Sequence, residues 1–333
     1  MTSLLTLSGV EHAGIHAPDP AALACFYEEV LGLHLIGGNG SDSPTDATVL
    51  LATRSQRDRH ELAVFAASQK RHVAFGVPSL ADLRAWAVRL QGFGLPIRAI
   101  WTHGVSLSFY VDDPEGNLLE LCWSTGLACS QYPPISEPLD LSAPEQTLLA
   151  EAARLARRAG PPPAAHHRTE SVSLLGVGHV ALSSPDPAQL AGFYHEVLGM
   201  QIVDERGPDG VFGPSVLLSG RPEEEHHEIA IFSRPELAHT AFKVAALADL
   251  RTLYREIEAR GVSMIGSFTF GVSLAFFFQD PAGNPIEIYW PTGVSRTLPG
   301  IRPIDLRASP EALLLAAGGW PAVAAPRSQG VQT

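Results

Sequence analysis

The chain has 333 residues, 45% hydrophobic and 17% charged, which excludes disorder and allows two ordinary domains with real cores. Its formal net charge of −12 disfavours nucleic-acid and anionic-membrane partners, since either needs a basic face.

In chain order, a strand is expected from Val10 to Ile15, followed by Pro18-Asp19-Pro20. Asp19 suits an N-cap with Pro20 at the first helical position, and Gly32 can close that helix. Strand-like runs follow around Ala47 to Ala52 and Glu61 to Ala66. A further strand, His72 to Val77, precedes a second helix. Ser79 and Asp82 resemble a capping box for it, and Gly92 or Gly94 ends it. The hairpin SLSFYVDDPEGNLLELCW comes last, turning on Asp-Pro-Glu-Gly-Asn.

The same order recurs further on. GVEHAGIHAPDPAALACFYEEVLG begins at Gly9 and GVGHVALSSPDPAQLAGFYHEVLG at Gly176. The spacing holds without slippage at His12/His179, His60/His227, His72/His239 and Glu120/Glu287. The pattern is βαβββ twice per half, so four modules and an α+β class are expected. The expected organisation is a first domain over 1–130, an arm and linker over 131–174, a second domain over 175–295, and a C-terminal arm and tail over 296–333. The linker AGPPPAAHHRTE is rich in Pro and Ala, and its His166 and His167 read as solvated. The tail ending in APRSQGVQT reads as a packed arm followed by a few loose residues.

Three cysteines, Cys25, Cys122 and Cys129, cannot build a disulfide framework, and the two in strand-like segments read as small buried hydrophobes in a reducing compartment. No stretch approaches the roughly 20 apolar residues of a spanning helix, and the N-terminus lacks the basic start of a signal peptide. The expected setting is the cytoplasm.

Strand alternation singles out three polar residues in each half. His72 shares a face with small Ala74 and Gly76, while Val73, Phe75 and Val77 take the other; His12 lies with Val10 and Gly14. Glu120 interrupts the apolar run Leu118-Leu119-Glu120-Leu121-Cys122. A carboxylate there is costly to bury unless a cation or a donor compensates it. His179, His239 and Glu287 repeat the arrangement. Two neutral imidazoles and one carboxylate around a divalent ion leave an open face and a net charge near +1. A singly deprotonated bidentate oxygen ligand such as a catecholate would neutralise that charge. The sequence offers six such ligands and leaves open whether they group by half. The alternative sets are His12 with His239 and Glu287, and His179 with His72 and Glu120.

The paired βαβββ modules, the Asp-Pro-x-Gly-Asn turn and the His, His, Glu order resemble the vicinal oxygen chelate superfamily. That group includes glyoxalases, fosfomycin and bleomycin resistance proteins, and extradiol ring-cleaving dioxygenases. Four modules in one chain are similar to the type I extradiol enzymes, and the resemblance covers about residues 8–126 and 175–293. It implies two vicinal-oxygen-chelate domains and Fe(II), with Mn(II) or another divalent metal as alternatives. It further implies cleavage of a small aromatic, catechol-like substrate with O₂; homo-oligomerisation is left open.

The resemblance also assigns surrounding residues. His60 falls at the family's acid–base histidine, His103 at the histidine that meets dioxygen or substrate, and Tyr110 at the tyrosine touching the substrate hydroxyl. In the second half His227 matches His60 as a candidate base, but Phe270 replaces His103 and Phe277 replaces Tyr110. Type I enzymes typically carry the working site in the C-terminal domain, whereas here the N-terminal domain is the better equipped. Two other activities compete. A glyoxalase-type isomerase or lyase would need another carboxylate at the metal, with Glu61 and Glu228 the nearby candidates. An aromatic-compound-binding resistance protein would bind without turnover.

Overall fold

The computed structural model describes residues 5–39, 47–53, 60–127, 136–157, 172, 174–209, 212–294 and 301–318. The first half runs β1 (Val10–His16), α1 (Pro20–Leu31), β2 (His34–Asn39), β3 (Thr48–Ala52), β4 (Leu62–Phe65) and β5 (His72–Gly76). It continues through α2 (Leu80–Gly92), β6 (Ala99–Thr102), β7 (Ser106–Asp112) and β8 (Leu118–Ser124) to the short β9 (Glu137–Pro138) and α3 (Glu145–Ala156). The second half repeats this as β10 (Leu174–Ser183), α4 (Pro187–Glu196), β11 (Gln201–Arg206), β12 (Ser215–Ser219), β13 (Ile229–Phe232) and β14 (His239–Val244). After these come α5 (Leu247–Ala259), β15 (Met264–Thr269), β16 (Ser273–Gln279), β17 (Pro285–Pro291), β18 (Arg302–Pro303) and α6 (Pro310–Ala316). Each half is thus two βαβββ modules plus a short closing arm.

Each half folds as one mixed nine-stranded sheet, ordered β2-β3-β4-β1-β5-β8-β7-β6-β9 in the first and β11-β12-β13-β10-β14-β17-β16-β15-β18 in the second. Within a module the first and last strands pair in parallel, β1 with β4 and β5 with β8. Antiparallel pairing of β1 with β5 joins the two modules at the centre of the sheet.

Local chemistry explains the elements. Asp19 caps α1 by accepting from the Ala22 amide at 3.0 Å, and Gly32 closes it at φ 70°, a left-handed conformation that suits a residue without Cβ. Ser79 caps α2 through the Asp82 amide. Alternation along β5 sends Val73 and Phe75 into the core. There Phe75, Phe109 and Trp86 are essentially sealed from water, each side chain of this kind contributing about 1.5–3 kcal/mol. The opposite face carries His72 and Ala74.

The halves are bound to each other by matched contacts. Tyr27 of α1 donates to Asp280 at 2.8 Å, and Tyr194 of α4 donates to Asp113 at 3.0 Å. Both aspartates belong to the Asp-Pro-x-Gly-Asn turns, which therefore do more than reverse a hairpin. Asn284 of the second turn also donates to the His16 carbonyl, and Ser184 donates to Glu115 of the first.

Cys122 is buried on β8, whereas Cys25 is exposed on α1. Cys129, His166, His167 and the terminal APRSQGVQT lie outside the described residues. No helix among the described residues is long and apolar enough to cross a membrane.

Candidate metal centres

Strand register assembles each centre. His12 on β1 stands opposite Ala74 on β5, and Ala74 stands beside Glu120 on β8. Glu120 in turn faces Tyr110 on β7. One cross-sheet row therefore carries His12, Ala74, Glu120 and Tyr110, with His72 entering from the neighbouring position opposite Gly14. Residues directly opposite in a sheet share a face, so small Ala74 leaves the floor open between the polar groups. The second half builds the row His179, Ala241, Glu287 and Phe277, with His239 opposite Ala181.

In the first centre the Nε2 atoms of His12 and His72 lie 2.9 Å apart, and each is 3.2–3.3 Å from Glu120 Oε2. In the second, the Nε2 atoms of His179 and His239 are 3.2 Å apart and lie 3.0 and 2.9 Å from Glu287 Oε2. The triads thus form within each half; neither of the sets drawn across the halves comes together. Both glutamates are nearly sealed, at 1% and 3% exposed.

The chemistry of this donor set fits a divalent ion. His72 Nδ1 lies 2.7 Å from the Lys70 carbonyl, and His239 Nδ1 lies 2.7 Å from the Leu237 carbonyl. A carbonyl can only accept, so Nδ1 carries the proton and, in the neutral ring, Nε2 presents a bare lone pair to the centre. Ligand atoms about 3 Å apart are close enough for all three to reach one ion at about 2.1 Å, and the spacing here is of that order. Burial would raise the Glu120 pKa, but the His12 and His72 imidazoles hold it well below the usual carboxylate range. Glu287 behaves alike: burial acts upward, yet His179 and His239 bring it down to about 2.

The surroundings differ between the halves. The His60 ring lies 4.0 Å from that of His12, centre to centre, and His227 lies 4.1 Å from His179. Burial lowers both pKa values well below that of a free imidazole, with the neighbouring histidines adding to the effect. Both rings are therefore neutral at pH 7. His103 Nε2 is 3.1 Å from the Tyr110 hydroxyl, and Ser136 Oγ is 2.7 Å from His103 Nδ1. Burial, then the charge of Glu120, pushes the Tyr110 pKa well above 10, so the phenol keeps its proton. Sequence reasoning had located His60, His103 and Tyr110 but not Ser136, which stands in the closing arm, where the second half has Ile301, and has no motif. It also missed the Lys70 and Leu237 carbonyls, although each sits two residues before a histidine of the triad.

In the second half Phe270 and Phe277 pack where His103 and Tyr110 stand in the first, and Phe277 meets His239 edge-on at 5.3 Å. The sequence did not foresee Tyr289, whose ring is 5.2 Å from His179 and whose hydroxyl donates to Glu225 at 3.0 Å. Its first-half counterpart is Cys122, so the repeat gave no signal there. Glu61 and Glu228 turn away from both triads. Glu61 accepts from the Thr53 amide at 2.8 Å; Glu228 accepts from the Gly220 amide at 2.7 Å and pairs with Arg221. Neither supplies the extra carboxylate that glyoxalase-type chemistry would require.

Known proteins share this architecture. The chain is 32% identical over 124 residues to the biphenyl-2,3-diol 1,2-dioxygenase of Paraburkholderia xenovorans (strain LB400), a stretch covering 34% of this chain and 41% of that relative. It is 25% identical over 118 residues to the manganese-dependent 2,3-dihydroxybiphenyl 1,2-dioxygenase of Geobacillus genomosp. 3, covering 34% and 36%. The matched stretch thus spans about two fifths of the length of these curated relatives. The fold is similar to the 2,3-dioxygenase LapB from Pseudomonas sp. KL28, with a TM-score of 0.63, 20% identity, and 91% and 98% of the two chains covered. It is also similar to the Mn(II)-bound glyoxalase from Novosphingobium aromaticivorans, with a TM-score of 0.62, 16% identity, and 91% and 85% covered. The family model for the Glyoxalase/Bleomycin resistance protein/Dioxygenase superfamily matches residues 9–121 and again 176–288. Those two matches take in about two thirds of the sequence and coincide with the two sheets, so the chain belongs to that superfamily.

Proposed function

We propose that this protein is a metal-dependent extradiol dioxygenase that opens a catechol-like aromatic ring with O₂ at the first centre. The observation that carries this reading is the set of polar groups gathered around the first triad: His60 against His12, and the His103–Tyr110 pair beside Glu120. His12, His72 and Glu120 would hold Fe(II), with Mn(II) the second candidate because one relative is named as manganese-dependent. Bound there, the ion would supply an open face on which both diol oxygens and O₂ can be activated together. His179, His239 and Glu287 would hold a second ion.

The protein's own groups divide the remaining work. His60, buried and neutral, takes a proton from a substrate hydroxyl as the diol binds and returns it during ring opening. Tyr110, kept protonated, donates a hydrogen bond to oxygen at the substrate. His103, oriented through Ser136, offers a second polar contact where charge builds on oxygen. The relatives' names indicate an aromatic vicinal diol, which agrees with a centre of net charge near +1. A reducing cytoplasm suits the free thiols of Cys25 and Cys122.

The test is oxygen uptake by the Fe(II)-loaded protein across a panel of catechols and hydroquinones, with absorbance scanned for a yellow ring-opened product. Uptake matched to product supports ring cleavage. No uptake with any member of the panel, from protein shown to hold metal, would end the proposal.

A further inference from the structure

A cavity of 160 Å³ opens onto the second triad and is lined largely by apolar side chains, among them Phe232, Phe268, Phe270 and Phe277. His179, His239 and Glu287 form part of its wall. Its two charged rim residues are already matched, Arg206 with Asp204 and Glu236 with Arg234. An apolar cavity of about 150 Å³ lined by Leu, Ile and Phe stays dry and accepts benzene, so this space suits one six-membered ring.

Counterparts at the same spacing show how the walls diverged. Trp101, His103 and Tyr110 of the first half become Phe268, Phe270 and Phe277, and Arg98 becomes Ile265. Of the polar groups flanking the first triad, only the His60 position is kept, as His227. Two neutral imidazoles and one carboxylate leave a divalent ion near +1, and an uncompensated charge facing a phenylalanine cage is strongly disfavoured. A vicinal diol that has lost one proton to water cancels that charge through its two oxygens and offers its apolar ring to the cage. The losses of His103 and Tyr110 leave such binding intact. What they remove are polar contacts to oxygen as charge develops, worth about 100- to 1000-fold in rate for a single donor. Contacts from Phe270 and Phe277 hold the bound and the reacting ring alike and so do not lower the barrier.

We infer that the second half is a binding site without turnover: a metal at His179, His239 and Glu287 that holds one apolar catechol-type ring as its monoanion. The inference rests on reading both triads as metal sites but not on ring cleavage at the first. Catechols bearing an anionic substituent should be bound more weakly, because the one cation lining the cavity, Arg206, is already paired with Asp204.

The experiment uses the full chain with Glu120→Ala, which removes the first centre's carboxylate, and Glu120→Gln should the alanine variant fold poorly. Loaded with Mn(II) without oxygen and freed of excess metal, it should retain one ion per chain against two in the wild type. Calorimetric titration with 4-methylcatechol should give one site per chain. The same site should bind 3,4-dihydroxybenzoate at least about tenfold more weakly and disappear in the Glu120→Ala/Glu287→Ala variant. In air, the Fe(II)-loaded single variant should consume no oxygen with 4-methylcatechol. Metal retention without catechol binding overturns the inference. So does equal affinity for the two catechols, or steady oxygen uptake by the single variant. Absence of uptake by the wild type would instead remove ring cleavage at the first centre and leave the binding result standing.

Discussion

His60 and Glu120 make opposite demands on the first centre, and substitution separates them. Glu120 is a carboxylate 1% exposed, facing two imidazole nitrogens at 3.2–3.3 Å. Glu120→Ala leaves two neutral donors, and the ion of that half should be lost on dialysis; metal analysis showing wild-type content would refute its role as a ligand. His60 lies tilted beside His12 without joining the three converging groups. His60→Gln should therefore keep both metals while lowering kcat by about 100- to 10,000-fold, the usual contribution of a positioned proton-transfer group. A second test makes the first centre resemble the second. His103→Phe combined with Tyr110→Phe should cut oxygen uptake by at least about 100-fold with metal content unchanged, and an undiminished rate would show that these two groups are dispensable. At this scale the sequence was informative, because strand alternation and a repeat at constant spacing both marked the histidines and glutamates. Ser136 was hidden, since a lone serine in a connecting arm has no period to betray it.

The elements matter because register, not proximity in sequence, brings the donors together. β5 runs between β1 and β8, and Ala74 at its centre lies in line between His12 and Glu120. The residue is fully buried, so the floor of the site has room for a methyl group and little more. Ala74→Val adds bulk on the triad's side of the sheet. It should cost about 1–3 kcal/mol through overpacking and weaken metal retention, read as a lower melting temperature together with lower metal content. Normal values of both would mean that the floor can yield. The small residues were visible in the sequence as Ala74 and Gly76 along His72-Val73-Ala74-Phe75-Gly76. Two strands were not. β2, His34-Leu35-Ile36-Gly37-Gly38-Asn39, has a register shift between Leu35 and Gly37 that breaks its alternation. β6, Ala99–Thr102, is four residues long, too short for a period to show. Both take their place from neighbouring strands, which is information the local sequence does not hold.

Across the whole molecule, the two halves are tied by a reciprocal exchange: a helix tyrosine of each donates to the hairpin-turn aspartate of the other. The repeat made the turns conspicuous, but nothing local told that Asp113 and Asp280 serve the opposite half, because their partners lie 81 and 253 residues away. These contacts predict how the protein responds to alkali. Burial, reinforced by the paired aspartates, raises the pKa of Tyr27 and of Tyr194 well above 10. Unfolded, each phenol would titrate near about 10. Above that pH the folded chain binds more protons than the unfolded one, so stability is fully present below about pH 10 and falls as pH rises toward the folded values. Phenolate absorbance from these residues should therefore appear together with loss of the folded tryptophan fluorescence, not before it. Tyr27→Phe with Tyr194→Phe should remove two phenolates from that coincident step. At neutral pH each substitution should also cost about 1.5–3 kcal/mol, the range for a hydrogen bond to a charged group. Ionisation of Tyr27 and Tyr194 in a still-folded protein would show that the halves open along this seam before either sheet unfolds.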